Sequence, residues 1–458
     1  MKDLLSDVAA RSARYLAEVE NRRVAPRPED VARLDALGGP MPDQSSDPAQ
    51  VLALLDEVGS PATVTSSGGR YFGFVIGGAV PAALAANWLA GAWDQNVAFA
   101  VMSPVAARLE QIVLSWVLDL LGLPPSCEAG FVTGTTMATF SCLAAARTAL
   151  LQRSGWSVEE QGLFGAPPIT VVVGEEVHVS LLKALALLGL GRSRVTRVPT
   201  DEQGRMIAKA LPPLDGRTLV CVQSGNVNTG AFDPAGEICA RAHHAGAWVH
   251  VDGAFGLWAA VSPQYAPLLQ GAPEADSWAI DCHKWLNVPY DSGLAVVREP
   301  KYLRDAFAAF AAYLQAGETR DPCLTTPESS RRARGVELWA ALRSLGRSGL
   351  RDLVERNCRG AALFAQKLKA GGCKVLNDVV LNQVLVSFGS AEETRRVVDE
   401  VQKDGTCWCG GTEWHGTAAM RISVSGWATT EGDVERSVEA ILRCARGVQA
   451  SRSSPPTA

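Results

Sequence analysis

Several short runs of the chain are apolar at nearly every position rather than at every second one. They are Thr170–Gly174 (TVVVG), Thr218–Gln223 (TLVCVQ), residues 247–252 (AWVHVD), Ser277–Asp281 (SWAID) and Gly293–Val297 (GLAVV). Unbroken apolarity over so few residues marks strands covered on both faces, as in a mainly parallel sheet. Helical patterns alternate with these runs between about residues 70 and 310, so the pattern predicts an α/β fold. The stretch 79–92 is the most apolar of all; Pro81, Asn87 and its small residues make it a buried core helix in this reading.

Outside that region the pattern changes. The opening MKDLLSDVAARSARYLAEVE reads as an amphipathic helix, followed by a connection rich in Pro and Asp. Residues 329–345 carry a strong helical stripe. Strands at 384–388 and 420–424 beside helices at 391–403 and 430–447 predict an α+β cap. The expected division is an N-terminal helical arm at 1–65, a large domain at 66–315, a smaller C-terminal domain at 316–448, and a tail at 449–458 with nothing to pack.

Composition narrows the class without choosing a function. The 458 residues are 47% hydrophobic and 20% charged, as in ordinary globular proteins. A formal charge of −5 gives no reason to expect nucleic acid or an anionic membrane as partner. The N-terminal helix lacks the uninterrupted apolar core of a signal peptide, and no stretch is long enough to span a bilayer, so a cytoplasmic location is expected. Eleven cysteines at irregular spacing argue against a disulfide framework. Cys407 and Cys409 with His415 nearby suggest a metal clip, but a second ligand pair is missing; reduced thiols and no metal are expected.

Chemistry enters at strand ends. Lys284, in His283-Lys284-Trp285, follows the run Ser277–Asp281; it is either a snorkelling surface lysine or an amine whose charge is disfavoured by burial and positive neighbours. Such an amine can attack an aldehyde. Asp252 closes WVHVD, where a carboxylate either starts a turn or pairs with a ligand gathered at the carboxyl ends of an open sheet. The segment GFVTGTT runs into a helix at 137–150; its hydroxyls and free N–H groups make that helix end a ready anion site, the plainer alternative being N-capping by Thr135 or Thr136, and the two are compatible. Neither a P-loop nor a strand-linked GxGxxG is present, which disfavours nucleotide cofactors. His178 follows the run Thr170–Gly174, and its titration range suits proton transfer as well as a structural role.

Together these segments resemble the group II pyridoxal-5′-phosphate (PLP) dependent decarboxylases, the family of aromatic-amino-acid, histidine and glutamate decarboxylases. The resemblance covers roughly 65–430. It runs through Tyr71-Phe72-Gly73-Phe74, Ser103-Pro104, residues 133–138, GNVNTGAFDP at 225–234, residues 250–254, His283-Lys284-Trp285 and residues 331–346, in order. It implies fold type I: a large domain with a mainly parallel seven-stranded sheet, a smaller α+β domain, and a homodimer with sites at the interface. It further implies that Lys284 binds PLP as an imine, Asp252 holds the pyridinium nitrogen, and His178 stacks on the ring with Ala254 behind it. Thr135 and Thr136 would bind phosphate with His283, while Gln223 and Asn226 approach the cofactor. Tyr71, Phe72 and Phe99 are candidates to line a substrate pocket. Arg421 is a candidate anchor for a substrate carboxylate, or a surface arginine. The activity implied is decarboxylation of an L-amino acid to its amine.

The sequence departs from the family in one place that bears on the product. Many members protonate the substrate carbon with a tyrosine on a loop; residues 314–327 (LQAGETRDPCLTTP) contain none. Cys323 sits near the expected place and Tyr313 just before it. An aldehyde synthase, a C–C lyase or a non-catalytic partner subunit are the competing expectations. The cluster Arg331-Arg332-Ala333-Arg334 reads as a solvated, salt-bridged face.

Overall fold

The computed structural model describes residues 1–308 and 320–453 and forms two compact units. One comprises residues 77–359 with 377–383; the other comprises 1–76, 360–376 and 384–458.

The first unit is built on a seven-stranded sheet. Its strands are β1 (Glu128–Val132), β2 (Thr170–Gly174), β3 (Thr196–Val198), β4 (Thr218–Gln223), β5 (Trp248–Asp252), β6 (Ser277–Asp281) and β7 (Gly293–Val297), in the order β1-β7-β6-β5-β4-β2-β3. β2, β3, β4, β5 and β6 pair in parallel, whereas β7 runs antiparallel to both β6 and β1. Every residue of β4 to β7 is buried, which is why their sequences are mostly apolar instead of alternating, with polar residues chiefly at the strand ends.

The helix Thr135–Arg153 lies across β5, β6 and β7 and touches helices Val179–Leu187 and Pro300–Phe307. Its Ala138, Ala144, Ala145, Ala146 and Ala149 are fully buried, and such small side chains let helix and sheet approach closely. The strand directions bring the ends of β1, β4, β5 and β6, and the start of β7, to one edge of the sheet. That edge carries the site.

Three expectations need correction. The helix at 79–92 is Pro81–Trp93, and it is not a buried core helix: Ala83 and Ala86 are buried, while Trp88, Leu89 and Trp93 are 45%, 53% and 44% exposed. The helical stripe at 329–345 becomes helix only at Gly335. Before that, the backbone pairs sideways: Val97 N–H donates to Arg331 O, and the Asn96 carboxamide oxygen accepts from Arg331 N–H. The arginine cluster is not a solvated face either. Arg331 and Glu110 are each 1% exposed and form a two-pronged pair at 2.7 and 3.1 Å, and Arg334 Nε meets Asp291 at 2.7 Å.

The second unit holds a smaller sheet in the order β10-β11-β9-β8 (β8 Lys374–Val375, β9 Gln383–Ser387, β10 Gly410–Trp414, β11 Thr417–Ser423). The pairs β8–β9 and β10–β11 are antiparallel. Ser390 and Glu393 form a reciprocal capping box at the start of helix Ala391–Asp404. The N-terminal helix spans Lys2–Glu18, and the last helix reaches Ser453. Cys407 and Cys409 are buried against each other; all eleven cysteines are free thiols. Among the described residues, no helix is long and apolar enough to cross a membrane, and no cluster of His, Cys, Asp or Glu is placed to hold a metal ion.

Candidate active site

A cavity of about 320 Å³ opens at the strand-end edge, lined among others by Thr133, Gly134, Thr135, Thr136, His178, Gln223, Asp252, Ala254, His283 and Lys284. Each reaches it for a local reason. Gln223, Asp252 and Asp281 are the last residues of β4, β5 and β6, and Gln223 pairs in register with Asp252. His178 caps the helix Val179–Leu187; its Nδ1 accepts from Ser180 N–H at 3.3 Å, so a neutral ring carries its proton on Nε2. Lys284 lies just past β6, in the segment that returns into β7.

The chain crosses itself tightly beneath the cavity. A Cβ on Gly293 would lie 2.6 Å from Gly134 Cα, and one on Gly134 (φ +155°) would lie 2.7 Å from His283. Only glycines allow the β1 turn, the start of β7 and the lysine segment to meet there.

Two carboxylates face this space. Asp252 is held by Ala254 N–H at 3.2 Å; burial raises its carboxyl above the ordinary range, opposed by His178 and Lys284. Asp281 accepts from Thr135 N–H at 2.6 Å and from Lys284 Nζ at 2.8 Å, and His283 Nε2 lies 3.4 Å away. Burial also acts to raise Asp281, but Lys284, His283 and these hydrogen bonds outweigh it and hold the carboxyl below its usual value. His283 is pushed down, chiefly by burial, and its Nδ1 accepts from Ser292 N–H at 3.1 Å.

Asp281 was not among the residues singled out from sequence. The available signal was an acidic residue closing a buried run three positions before the lysine. Its presence also corrects the expected setting of Lys284, whose nearest charged neighbour is an anion, not a cation.

Other expected residues lie elsewhere. Asn226 does not line the cavity; its carboxamide oxygen accepts from the N–H groups of Asn228 and Thr229 and shapes a turn, while Gly225 and Val227 face the space. Phe99 is half-buried and is not among the lining residues. Tyr71, Phe72 and Arg421 belong to the other unit. There Tyr71 stacks on Trp408 at 5.1 Å and Phe72 packs edge-on to Phe364 at 4.9 Å. Burial pushes the Tyr71 phenol up to about 12 and Arg421 down. Tyr313 and residues 314–319 lie outside the described residues. Cys323 is half-buried, its thiol raised by burial, and is not among the cavity residues.

The model of the pyridoxal-dependent decarboxylase conserved domain matches residues 38–389. This chain belongs to that family. It is 27% identical over 417 residues to an aromatic-L-amino-acid decarboxylase of Bacillus atrophaeus, covering 85% of this chain and 84% of the relative. It is 31% identical over 301 residues to the acidic amino acid decarboxylase GADL1 of Mus musculus, covering 63% and 54%. Among solved structures, the Oryza sativa TDC with PLP and tryptamine superposes with a TM-score of 0.89 at 23% identity over 97% of both chains. The chain is therefore a PLP-dependent carboxy-lyase of the group II decarboxylases.

The cavity residues fit PLP. The Thr135 hydroxyl is buried with no hydrogen-bond partner, at the start of a helix whose first N–H groups have no intrahelical acceptors. A phosphate answers both needs. Asp252, deep at a strand end, suits a protonated ring nitrogen.

Proposed function

We propose that this decarboxylase converts an L-amino acid with an uncharged side chain to its amine, and that Lys284 carries the cofactor. The observation supporting this reading is that Lys284, Asp252, His178, Thr135 and Thr136 line one cavity. Bound there, PLP supplies a ring that accepts the electron pair freed when CO₂ leaves the α-carbon.

The chain's own residues do the rest. Thr135, Thr136 and the helix end hold the phosphate. Asp252 keeps a proton on the ring nitrogen. His178 and Ala254, which line the same cavity, would bracket the ring. Gln223, tied to Glu176 O at 3.0 Å, steadies the segment that carries His178. Met137, Val227 and Phe255 add apolar wall, which favours loss of a carboxylate charge by withholding water from it.

No arginine is among the described residues lining the cavity, so a second substrate carboxylate has no forked partner there. That favours a neutral side chain over aspartate or glutamate. The reading includes a homodimer, supported by the apolar groups that helix Pro81–Trp93 and its surroundings leave exposed, Trp88, Leu89, Trp93, Val101 and Met102. Sedimentation of the purified protein tests it.

The decisive experiment supplies PLP and a panel of amino acids, then measures CO₂, amine, aldehyde and peroxide together with borohydride labelling. The expected result is CO₂ and amine in equal amounts, with the label on Lys284. Turnover without CO₂, or a label on another lysine, overturns the reading. Aldehyde with peroxide would instead favour the oxidative alternative, the one motivated by the tyrosine-free segment 314–327.

A further inference from the structure

Lys284 has two partners to serve. Resting on the reading that this lysine carries the cofactor, its amine must be set free during each turnover and must return as a nucleophile. The structure has a place for it in between: Asp281 Oδ2, 2.8 Å from Nζ. That carboxylate cannot drift, because its other oxygen accepts the Thr135 N–H at 2.6 Å and the residue closes a buried strand.

We propose that Asp281 is a positioning residue that holds the freed Lys284 amine as an ammonium beside the cavity, and that this ammonium protonates the substrate α-carbon after CO₂ has left. The electron pair at that carbon takes a proton from Nζ; an N–H bond breaks and a C–H bond forms. Lys284 is left as a neutral amine, the form that would add to the carbon of the C=N bond joining cofactor and product and release the product amine, the protons of the attacking nitrogen passing to the departing one. No electrons leave the system.

The surroundings favour this donor over the others in view. Residues 314–327 contain no tyrosine, and burial raises the Cys323 thiol. The charged and titratable groups around the Lys284–Asp281 pair are His178 after β2, Asp252 on β5, and His283 and Asp291 in the β6–β7 segment; Arg334 holds Asp291 at 2.7 Å. Asp281 is the carboxylate in direct contact with the amine.

The test is Asp281→Asn in the reconstituted holoenzyme. An asparagine oxygen still accepts the Thr135 N–H, so charge is removed with the hydrogen bond kept. Amine-forming kcat should fall about 10- to 100-fold with KM nearly unchanged. Loss of the anion disfavours the ammonium, so the high-pH limb of kcat should move to lower pH by about one unit or more. The pH midpoint of the visible cofactor band should move the same way, and Asp281→Glu should restore part of both shifts. Asp281→Ser, which also keeps an acceptor for Thr135, replaces the asparagine variant should that one not fold. Borohydride labelling separates the failures. A label on Lys284 with unmoved pH midpoints overturns the role of Asp281 alone; no label on Lys284 in the unmodified protein overturns the reading beneath it.

Discussion

Asp252 and Asp281 end neighbouring parallel strands and face the same cavity, yet their surroundings drive them in opposite directions. Burial dominates at Asp252 and raises it. At Asp281 the same burial is outweighed by Lys284, His283 and the hydrogen bonds it accepts. A cavity with one reluctant anion and one committed anion can assign them different work.

For Asp252 the work proposed above is to keep the cofactor ring charged. Asp252→Asn retains an oxygen for the Ala254 N–H, so folding and cofactor content should survive. Its kcat should fall by on the order of 10²–10³-fold, the scale expected when one preorganised charge is removed from a reacting group. A kcat within a few-fold of the unmodified protein, measured at full cofactor occupancy, would remove Asp252 from the mechanism.

Thr135→Val separates binding from stability. The buried hydroxyl has no protein partner, so without cofactor the valine variant should be as stable or more stable, by up to about 1 kcal/mol. Affinity for PLP should drop about tenfold if, as proposed, the phosphate is the hydroxyl's partner. Thermal melts with and without PLP, alongside equilibrium dialysis, measure both quantities. Unchanged PLP affinity would mean that the phosphate sits elsewhere.

The Arg331–Glu110 pair is a structural keystone for β1, because Arg331 also donates to Phe131 O at 3.2 Å. Glu110→Ala leaves one guanidinium buried without its anion and should cost about 3–5 kcal/mol in denaturant unfolding. Replacing both partners by apolar residues of similar volume should recover most of that loss. A single-variant loss under about 1 kcal/mol would show that Glu128, the carboxylate that Arg320 holds at 2.9 Å, or water supplies the balance.

His250 gives a pH signature. Burial pushes its imidazole down to about 3, and Nε2 has no partner. Below its unfolded value near 6.5 the unfolded chain binds a proton that the folded chain refuses, so stability is lost as pH falls from about 6.5 toward 3. His250→Phe should flatten the unfolding free energy across that window relative to the parent protein. Parallel pH profiles of the two proteins would contradict the assignment.

What could be read from the sequence was set by what is local. The large-domain strands announce themselves because burial on both faces replaces the alternating pattern with mostly apolar runs in β4 to β7, whose polar residues stand chiefly at the strand ends. Lys284, Asp252, His178 and Thr135 were legible because each stands at the end of such a run or the start of a helix. Long-range partners were not. The arginines at 331 and 334 look solvated until Glu110 and Asp291 are brought beneath them by the fold. The apolar stretch at 79–92 reads as core because composition does not say which face is covered. Asp281 reads as the terminus of a strand, and its spacing of three residues from Lys284 is the one local sign that the lysine turns back upon it.

The reversed direction of β7 has a mechanical corollary. Because β7 opposes β6, the stretch between Asp281 and Gly293 leaves and re-enters the sheet at the same rim, with no crossover helix to carry it to the far side. The lysine therefore rides on a short bight moored at both roots, and its amine travels only by rotation about its own side-chain bonds. Other rim segments can be exchanged to alter what enters. A longer bight would slacken the mooring and let the Lys284 amine wander from Asp281.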